Sequence, residues 1–412
     1  MRNLPVNTPI KPRAMEPTTP RMPLSEAREL ARTGMDALRR GDARLARQAF
    51  DRIVAGGRDD ASACVALGMA CRALGDPAAA LAAADRGLAH EARNVRALVL
   101  KADLLAGQGD ARAAAAFYLE AVKAAGSPGG LPPDLEAEVA RARAFCEQSA
   151  RQIEEGVRGR LRDAGLLDAR ASGRFRESLD ILFGHKAPYF QQPRYYYFPG
   201  LPQIQFYDRA AFPWLDRVEA ATADIRAELT AVLQDESSFR PYLESDPKRP
   251  RKSQDGMTDN PDWGAFYLWK NGEPVAANAA RCPRTLEALA EAPIARLPQR
   301  SPSILFSLLR AGARIPPHCG LVNTRLICHL PLIVPGQCEF RVGNEVREWE
   351  EGRAWVFDDS IEHEAWNRSA GTRVILLFEI WRPELSAEER AQVSAMLEAM
   401  DAMAGERPAW EI

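Results

Sequence analysis

Three of the five histidines in the chain lie within one stretch of 46 residues, and clustered imidazoles can bind a transition metal. His318 lies in Ile315-Pro-Pro-His-Cys-Gly320, His329 follows it, and His363 ends Phe357-Asp-Asp-Ser-Ile-Glu-His363. Imidazole suits Fe(II), the metal that oxygen chemistry needs. Histidines from different strands can converge on one metal, so we expect His318 and His363 to form an iron site. The alternative is a turn histidine and a core histidine with satisfied hydrogen bonds.

One residue argues against a conventional iron site. Non-haem iron is usually held by two histidines and a carboxylate, and the carboxylate ordinarily follows the first histidine by two residues. In this chain that position is Gly320. The residue pattern by itself therefore leaves both interpretations open.

The elements that must position these histidines are predicted to be strands. Short apolar runs separated by Gly, Pro and Asn turns occupy residues 303–309, 324–334, 338–342, 353–357 and 373–381. Several short strands with such spacing are typical of an antiparallel sandwich or a double-sheet jelly roll. The capping box Ser386-x-x-Glu389 predicts a final helix to about residue 403.

The N-terminal half has a different pattern, rich in Ala, Leu and Arg. Gly-Asp pairs at residues 41–42, 75–76 and 109–110 recur with a period of 34 residues. This period, with a turn between two helices, resembles the tetratricopeptide repeat, in which stacked helical hairpins bury one another's apolar faces. The alternative is an Ala-rich helical bundle with accidental periodicity. Such arrays usually bind peptides or proteins, so this half is expected to recognise a partner and to carry no chemistry.

We therefore predict an α+β multidomain chain with four parts. Residues 1–23 form a disordered segment, and residues 24–128 form the repeats. Connecting or capping helices occupy residues 129–190, and residues 191–412 form the jelly-roll domain with its C-terminal helix.

Composition excludes several classes of partner. The chain has 54 basic and 56 acidic side chains, so no overall charge attracts it to nucleic acid or an anionic membrane. The basic run at residues 246–252 is interpreted as a solvated loop. No window has the ~18 apolar residues of a membrane span, and residues 1–23 lack the apolar core of a signal peptide. Seven scattered cysteines without a C-x-x-C pair argue against disulfides and structural zinc, so a cytoplasmic location is expected.

Ordered motifs add a family resemblance. They are Phe198-Pro-Gly-Leu201, Asp262-Trp-Gly-Ala-Phe-Tyr-Leu-Trp269, Pro317-His-Cys-Gly320, Asn323-Thr-Arg-Leu-Ile-Cys-His329, Trp349-Glu-Glu-Gly352, Phe357-Asp-Asp-Ser-Ile-Glu-His-Glu-Ala-Trp366 and Trp381-Arg-Pro-Glu-Leu385. Together, over about residues 195–390, they resemble the aspartyl/asparaginyl β-hydroxylases, which are Fe(II)- and 2-oxoglutarate-dependent oxygenases. Some members carry tetratricopeptide-like repeats ahead of the oxygenase domain. The family binds iron with two histidines and no protein carboxylate, which agrees with Gly320.

The resemblance implies a role for each site residue. His318 and His363 would bind the iron, and Asp359 would hold a water at the vacant coordination position. Arg373 and Ser307 would bind the distal carboxylate of 2-oxoglutarate. His329 would lie near the other carboxylate, and Trp263 would form a pocket wall. Where eukaryotic members have an arginine, this chain has Ile327, and Arg325 is the candidate to supply that charge.

The function implied by the resemblance is hydroxylation of a C–H bond with O₂, with succinate and CO₂ as co-products. The expected target is the β-carbon of an Asp or Asn residue in a peptide or protein held by the repeats. The alternatives are a free amino acid, a lipid acyl chain, or an inactive repeat-based scaffold.

Overall fold

The computed structural model describes residues 21–126, 130–245 and 256–404, and it divides into two compact units. The units are Met1–Leu179 and Asp180–Ile412. The segment predicted to be disordered lies almost wholly outside the described residues, and so does the basic run at 246–252. None of the helices in the described part of the chain has the length and apolar content to span a bilayer.

The first unit is built from antiparallel helical hairpins. Its helices α1–α8 are Leu24–Arg39, Ala43–Ala55, Ala61–Ala73, Pro77–His90, Val95–Gly107, Ala111–Ala125, Pro133–Asp163 and Gly173–Leu182, the last of which crosses the division between the units. The predicted helical repeat module is confirmed by the hairpins α1–α2, α3–α4 and α5–α6.

The Gly-Asp pairs form the turn within each hairpin. Gly41 has φ +80°, which a glycine adopts without strain at the end of a helix. The next residue, Asp42, caps α2 by accepting a hydrogen bond from the backbone N–H of Leu45 at 3.0 Å. Asp76 and Asp110 cap α4 and α6 in the same way. The 34-residue period therefore reflects a glycine that ends one helix and an aspartate that caps the next, repeated in each hairpin.

The second unit contains two antiparallel sheets and short helices. Its strands β1–β11 are Arg240–Pro241, Trp263–Lys270, Glu273–Pro274, Ile304–Leu309, Arg314–His318, Arg325–Ile333, Cys338–Val342, Glu345–Glu348, Trp355–Phe357, His363–Asn367 and Arg373–Trp381. Its helices α9–α13 are Leu215–Ala220, Thr222–Leu233, Ala276–Ala279, Pro283–Ala288 and Ala387–Ala404.

The larger sheet has the order β1-β2-β4-β11-β6-β9, with β3 on β2, and the smaller sheet has the order β5-β10-β7-β8. Between β4 and β11 the chain crosses repeatedly from one sheet to the other, and the jelly roll itself stays a prediction. The predicted antiparallel, two-sheet domain is confirmed.

Both faces of the larger sheet are buried. One face packs on α9 and α10 through residues such as Leu215, Leu229 and Phe378. The other face packs on the smaller sheet, where Ile327 and Ile375 belong to the same apolar cluster as residues of β7 and β10. Because both sides of this sheet are covered, side chains on both faces of a strand are buried. This explains the continuous apolar runs in the sequences of β4, β6 and β11.

Candidate functional site

The two predicted iron-binding histidines lie opposite each other in the smaller sheet. His318 ends β5, His363 begins β10, and the two residues are direct register partners. Their ring centroids are 4.1 Å apart. Neither β5 nor β10 was among the strands predicted from the sequence, and β5 contains Pro316 and Pro317. An edge strand tolerates proline since one of its sides needs no ladder hydrogen bonds, and β5 is the edge of its sheet.

In both imidazoles Nδ1 is used in a hydrogen bond, which leaves Nε2 available to bind a metal. The Nδ1–H of His318 donates to the carbonyl oxygen of Pro316 at 2.8 Å, and the Nδ1–H of His363 donates to that of Ile361 at 3.0 Å. These bonds select the tautomer whose Nε2 carries a lone pair, as in metal-binding histidines.

The electrostatics keep both rings neutral. Burial lowers the pKa of His318 to about 4. Burial and the neighbouring His318 place the pKa of His363 well below its ordinary value. Neutral imidazole is the form that binds a metal, so the pair is ready for a cation at neutral pH.

Asp359 occupies the space that a side chain at position 320 would fill. A Cβ atom built on Gly320 would lie 2.9 Å from Oδ1 of Asp359 and closer still to its Oδ2. Within the described residues neither carboxylate oxygen has a hydrogen-bond partner, and Nη2 of Arg325 lies 3.4 Å from Oδ2. Burial raises the pKa of Asp359 to about 7. A buried carboxylate with free lone pairs therefore lines the same cavity as the histidine pair.

The turn that carries Asp359 is held by a buried ion pair. Asp358 accepts hydrogen bonds from Arg382 and Gln191, each at 2.7 Å, and from the backbone and hydroxyl of Ser360. Asp358 and Arg382 are both 0% exposed. This pair fixes the segment between β9 and β10 that leads to His363.

Besides Arg325, four residues predicted to bind 2-oxoglutarate or line its pocket come together in the same cavity. They are Trp263, Ser307, His329 and Arg373. Arg373 is 1% exposed, its Nη1 donates to the carbonyl of Ser307 at 3.3 Å, and its Nε has no partner in the described structure. No carboxylate among the described residues acts on its charge, and burial lowers its pKa to about 10. A buried cation without a counter-ion favours the binding of an anion beside it.

His329 adds a second unpartnered nitrogen to this chamber. It is buried, and its Nδ1 has no hydrogen-bond partner within the described ranges. Burial, reinforced by the charge of Arg373, holds its pKa well below the ordinary range. The Nε1–H of Trp263 makes a long hydrogen bond of 3.4 Å to Ser307 Oγ.

Arg325 also lines the cavity, but its positive charge is already paired with a carboxylate of the protein. Its guanidinium pairs with Glu379 and lies near Asp359. Glu379 in turn accepts from the hydroxyl of Ser301 and from the backbone N–H of Ser303. The binding of 2-oxoglutarate or a substrate by Arg325 stays a prediction. The sequence analysis missed Glu379, although an acidic residue inside the apolar run of β11 was a signal for it.

A second group of metal-ligating types lies in the first unit. Ligand atoms of Asp59, Cys64 and His90 lie within 4.8 Å of one another. Nε of Arg86 lies 2.5 Å from Oδ2 of Asp59, and Nε2 of His90 lies 2.7 Å from the same oxygen. A cation would have to displace this arginine, so the group does not favour a metal.

Known proteins are similar to the part of the chain that contains the cavity. The family model described as Aspartyl/Asparaginyl beta-hydroxylase matches residues 219–383. The chain is 35% identical over 146 residues to Aspartyl/asparaginyl beta-hydroxylase of Mus musculus, covering 34% of this chain and 19% of the relative. It is 36% identical over 189 residues to Ornithine lipid ester-linked acyl 2-hydroxylase of Rhizobium tropici, covering 45% and 62%. The chain thus spans less than two thirds of either relative.

Among solved structures, the chain is similar to the type III secretion chaperone SycD of Yersinia enterocolitica in complex with a YopD peptide. The identity is 16% and the TM-score is 0.28, covering 30% of this chain and 92% of SycD. The family match concerns the second unit and contains the histidine pair, the Asp359 turn and Arg373. Residues 219–383 of this chain thus match the model of the aspartyl/asparaginyl β-hydroxylase family and are similar in sequence to its named members.

Proposed function

We propose that the second unit is an Fe(II)- and 2-oxoglutarate-dependent dioxygenase that hydroxylates a C–H bond. The observation that carries this proposal is one cavity with a facing pair of neutral histidines and a buried arginine without a counter-ion. Such a cavity suits a divalent cation at one end and a small dicarboxylate that reaches from it.

His318 and His363 would hold the iron through their Nε2 atoms. Asp359, whose carboxylate oxygens lack partners in the described structure, would accept a hydrogen bond from a water on the metal. Arg373 and Ser307 would bind the distal carboxylate of 2-oxoglutarate, and His329 would lie near the other one. When bound, iron and 2-oxoglutarate supply the oxidising power: the cosubstrate gives succinate and CO₂, and one atom of O₂ enters the substrate. The protein contributes ligands, orientation and a site closed to bulk water.

For the substrate we propose an Asp or Asn residue of a peptide or protein, hydroxylated at its β-carbon. The first unit would engage this partner, because stacked helical hairpins create extended surfaces for peptides. A second candidate is an aliphatic chain, as in a lipid acyl group or a free amino acid. It is favoured by Ile327, which is buried in the cavity wall where a cation was expected, and by the commitment of Arg325 to Glu379.

The test is succinate formation from 2-oxoglutarate with Fe(II) and ascorbate. Peptides containing Asp or Asn, free amino acids and acyl lipids are supplied in turn, and the gain of one oxygen atom is followed by mass spectrometry. His363→Ala should abolish both iron binding and turnover. The matched control is His90→Ala in the first unit, which should change neither. If the wild-type protein binds no iron and turns over no substrate, the inactive scaffold is supported and the proposal fails.

A further inference from the structure

Trp349 packs directly on the arginine of the anion subsite. The Cζ atom of Arg373 lies 4.6 Å from the centroid of the Trp349 ring. The ring is held in place by Trp355, with centroids 5.9 Å apart and an interplanar angle of 14°, and by Phe340 at 5.4 Å. A guanidinium over an indole face is stabilised by the ring quadrupole. Trp349 therefore fixes the position of a buried cation that has few other contacts.

The indole N–H of Trp349 has no acceptor among the described residues. Trp349 is 5% exposed, lines the cavity, and its Nε1 has no hydrogen-bond partner in the described parts of the chain. Leaving a buried donor unpaired costs about 1–3 kcal/mol, so native structures rarely keep one without a reason. Nε of Arg373 and Nδ1 of His329 are unpartnered in the same cavity. Together with Nε of Arg325, four unpartnered nitrogens of the described residues surround one chamber, which indicates a ligand with several acceptor oxygens.

We propose that Trp349 is a cosubstrate-binding residue. Its ring orients the Arg373 guanidinium, and its indole N–H donates to the distal carboxylate that Arg373 binds. This inference rests on the proposed function, because it names a residue of the same site. It differs from the sequence analysis, which kept Trp263 as the single tryptophan of the pocket. The opposing interpretation is that Trp349 is only part of the aromatic core.

The experiment separates the ring from its N–H group. Trp349→Phe keeps an aromatic face for Arg373 but removes the donor, and Trp349→Leu removes both. The matched control is Trp355→Phe, the same change in the ring stacked on Trp349, which does not line this cavity. Binding is measured by calorimetry with Mn(II) in place of iron. The probes are 2-oxoglutarate and 2-oxopentanoate, which has a methyl group in place of the distal carboxylate.

Trp349→Phe should weaken 2-oxoglutarate binding about tenfold, the loss expected for one hydrogen bond to a charged group. Trp349→Leu should weaken it further. Trp355→Phe should bind 2-oxoglutarate like the wild type, and 2-oxopentanoate should bind wild type and Trp349→Phe equally. In turnover, Trp349→Phe should raise KM for 2-oxoglutarate with little change in kcat.

Two results would overturn the inference while leaving the proposed function intact. One is wild-type affinity of Trp349→Phe for 2-oxoglutarate. The other is an equal loss of affinity for both probes, which would mean that the substitution only loosens the core. If the wild-type protein itself does not bind 2-oxoglutarate, the proposed function fails and the role of Trp349 fails with it.

Discussion

Replacing Gly320 by alanine should drive the Asp359 carboxylate from its place beside the histidine pair. The new Cβ would lie 2.9 Å from Oδ1 and closer to Oδ2, so the carboxylate has to retreat by roughly 1.5 Å for both oxygens to reach an ordinary contact distance. The backbone of Gly320 lies outside the left-handed region, and alanine is therefore not penalised by its φ angle. The entire effect should come from this contact.

The size of the effect follows from the burial of the carboxylate. Asp359 is 2% exposed, so it cannot swing into solvent and must push on its neighbours. Overpacking of this kind costs about 1–3 kcal/mol of unfolding free energy. Asp359→Ala removes the obstructing group, while Arg325 keeps Glu379 as its counter-ion. In the double variant the alanine at 320 has room, and the two costs should not add. We expect a coupling of about 1–3 kcal/mol in favour of the double variant.

The assay is urea denaturation followed by tryptophan fluorescence. All eight tryptophans lie between residues 214 and 410, so the signal reports on the second unit alone. Gly264→Ala is the matched control, because a Cβ there meets its nearest neighbour at an ordinary 3.4 Å. Additive effects in the Gly320–Asp359 cycle, or a Gly320→Ala variant as stable as the control, would refute the close approach of these residues.

The metal-free protein should lose stability as the pH falls from 7 toward 4. Three buried histidines stay neutral in the folded protein but take up protons near pH 6.5 in the unfolded chain; they are His318, His329 and His363. Below that pH, each lowers the free energy of unfolding by up to about 1.4 kcal/mol per pH unit. Asp359 has a raised pKa, so its protonation in the folded state offsets the loss of stability from one of the three histidines. The urea midpoint measured in EDTA should therefore still fall with pH. A midpoint that stays constant would contradict the burial of the three imidazoles. Arg382→Met should cost about 3–5 kcal/mol because it leaves the buried Asp358 unpaired. Arg353→Met, which removes an exposed pair, should cost under about 1 kcal/mol in the same denaturation experiment, and equal losses would exclude the bracing role of Arg382.

The helical repeats could be predicted from the sequence because their signals are local. A glycine that ends one helix and an aspartate that caps the next act within a few residues, as Gly41 and Asp42 do. The apolar strand β11 and its neighbours were predictable for the same reason. The histidine cluster and Gly320 also indicated a metal site without a conventional carboxylate, once the family motifs were added to the spacing.

Other features depended on which strands become neighbours. His318 and His363 are 45 positions apart in the chain, and only the pairing of β5 with β10 makes them register partners. The sequence could not show that Asp359 fills the space beside Gly320, because that contact joins two separate turns.

Arg325 and Trp349 are the clearest cases in which packing decides the role. Arg325 was the candidate to supply the charge missing at Ile327, and the pairing of β6 with β11 places it next to Glu379, which shares its charge. Trp349 follows β8 and was given no role in the pocket from its sequence, yet the fold sets its ring against Arg373 on β11. Residue types and spacing determined which chemistry is available to this chain. The pairing of distant strands decided which of those residues face the cavity and which are neutralised within the protein.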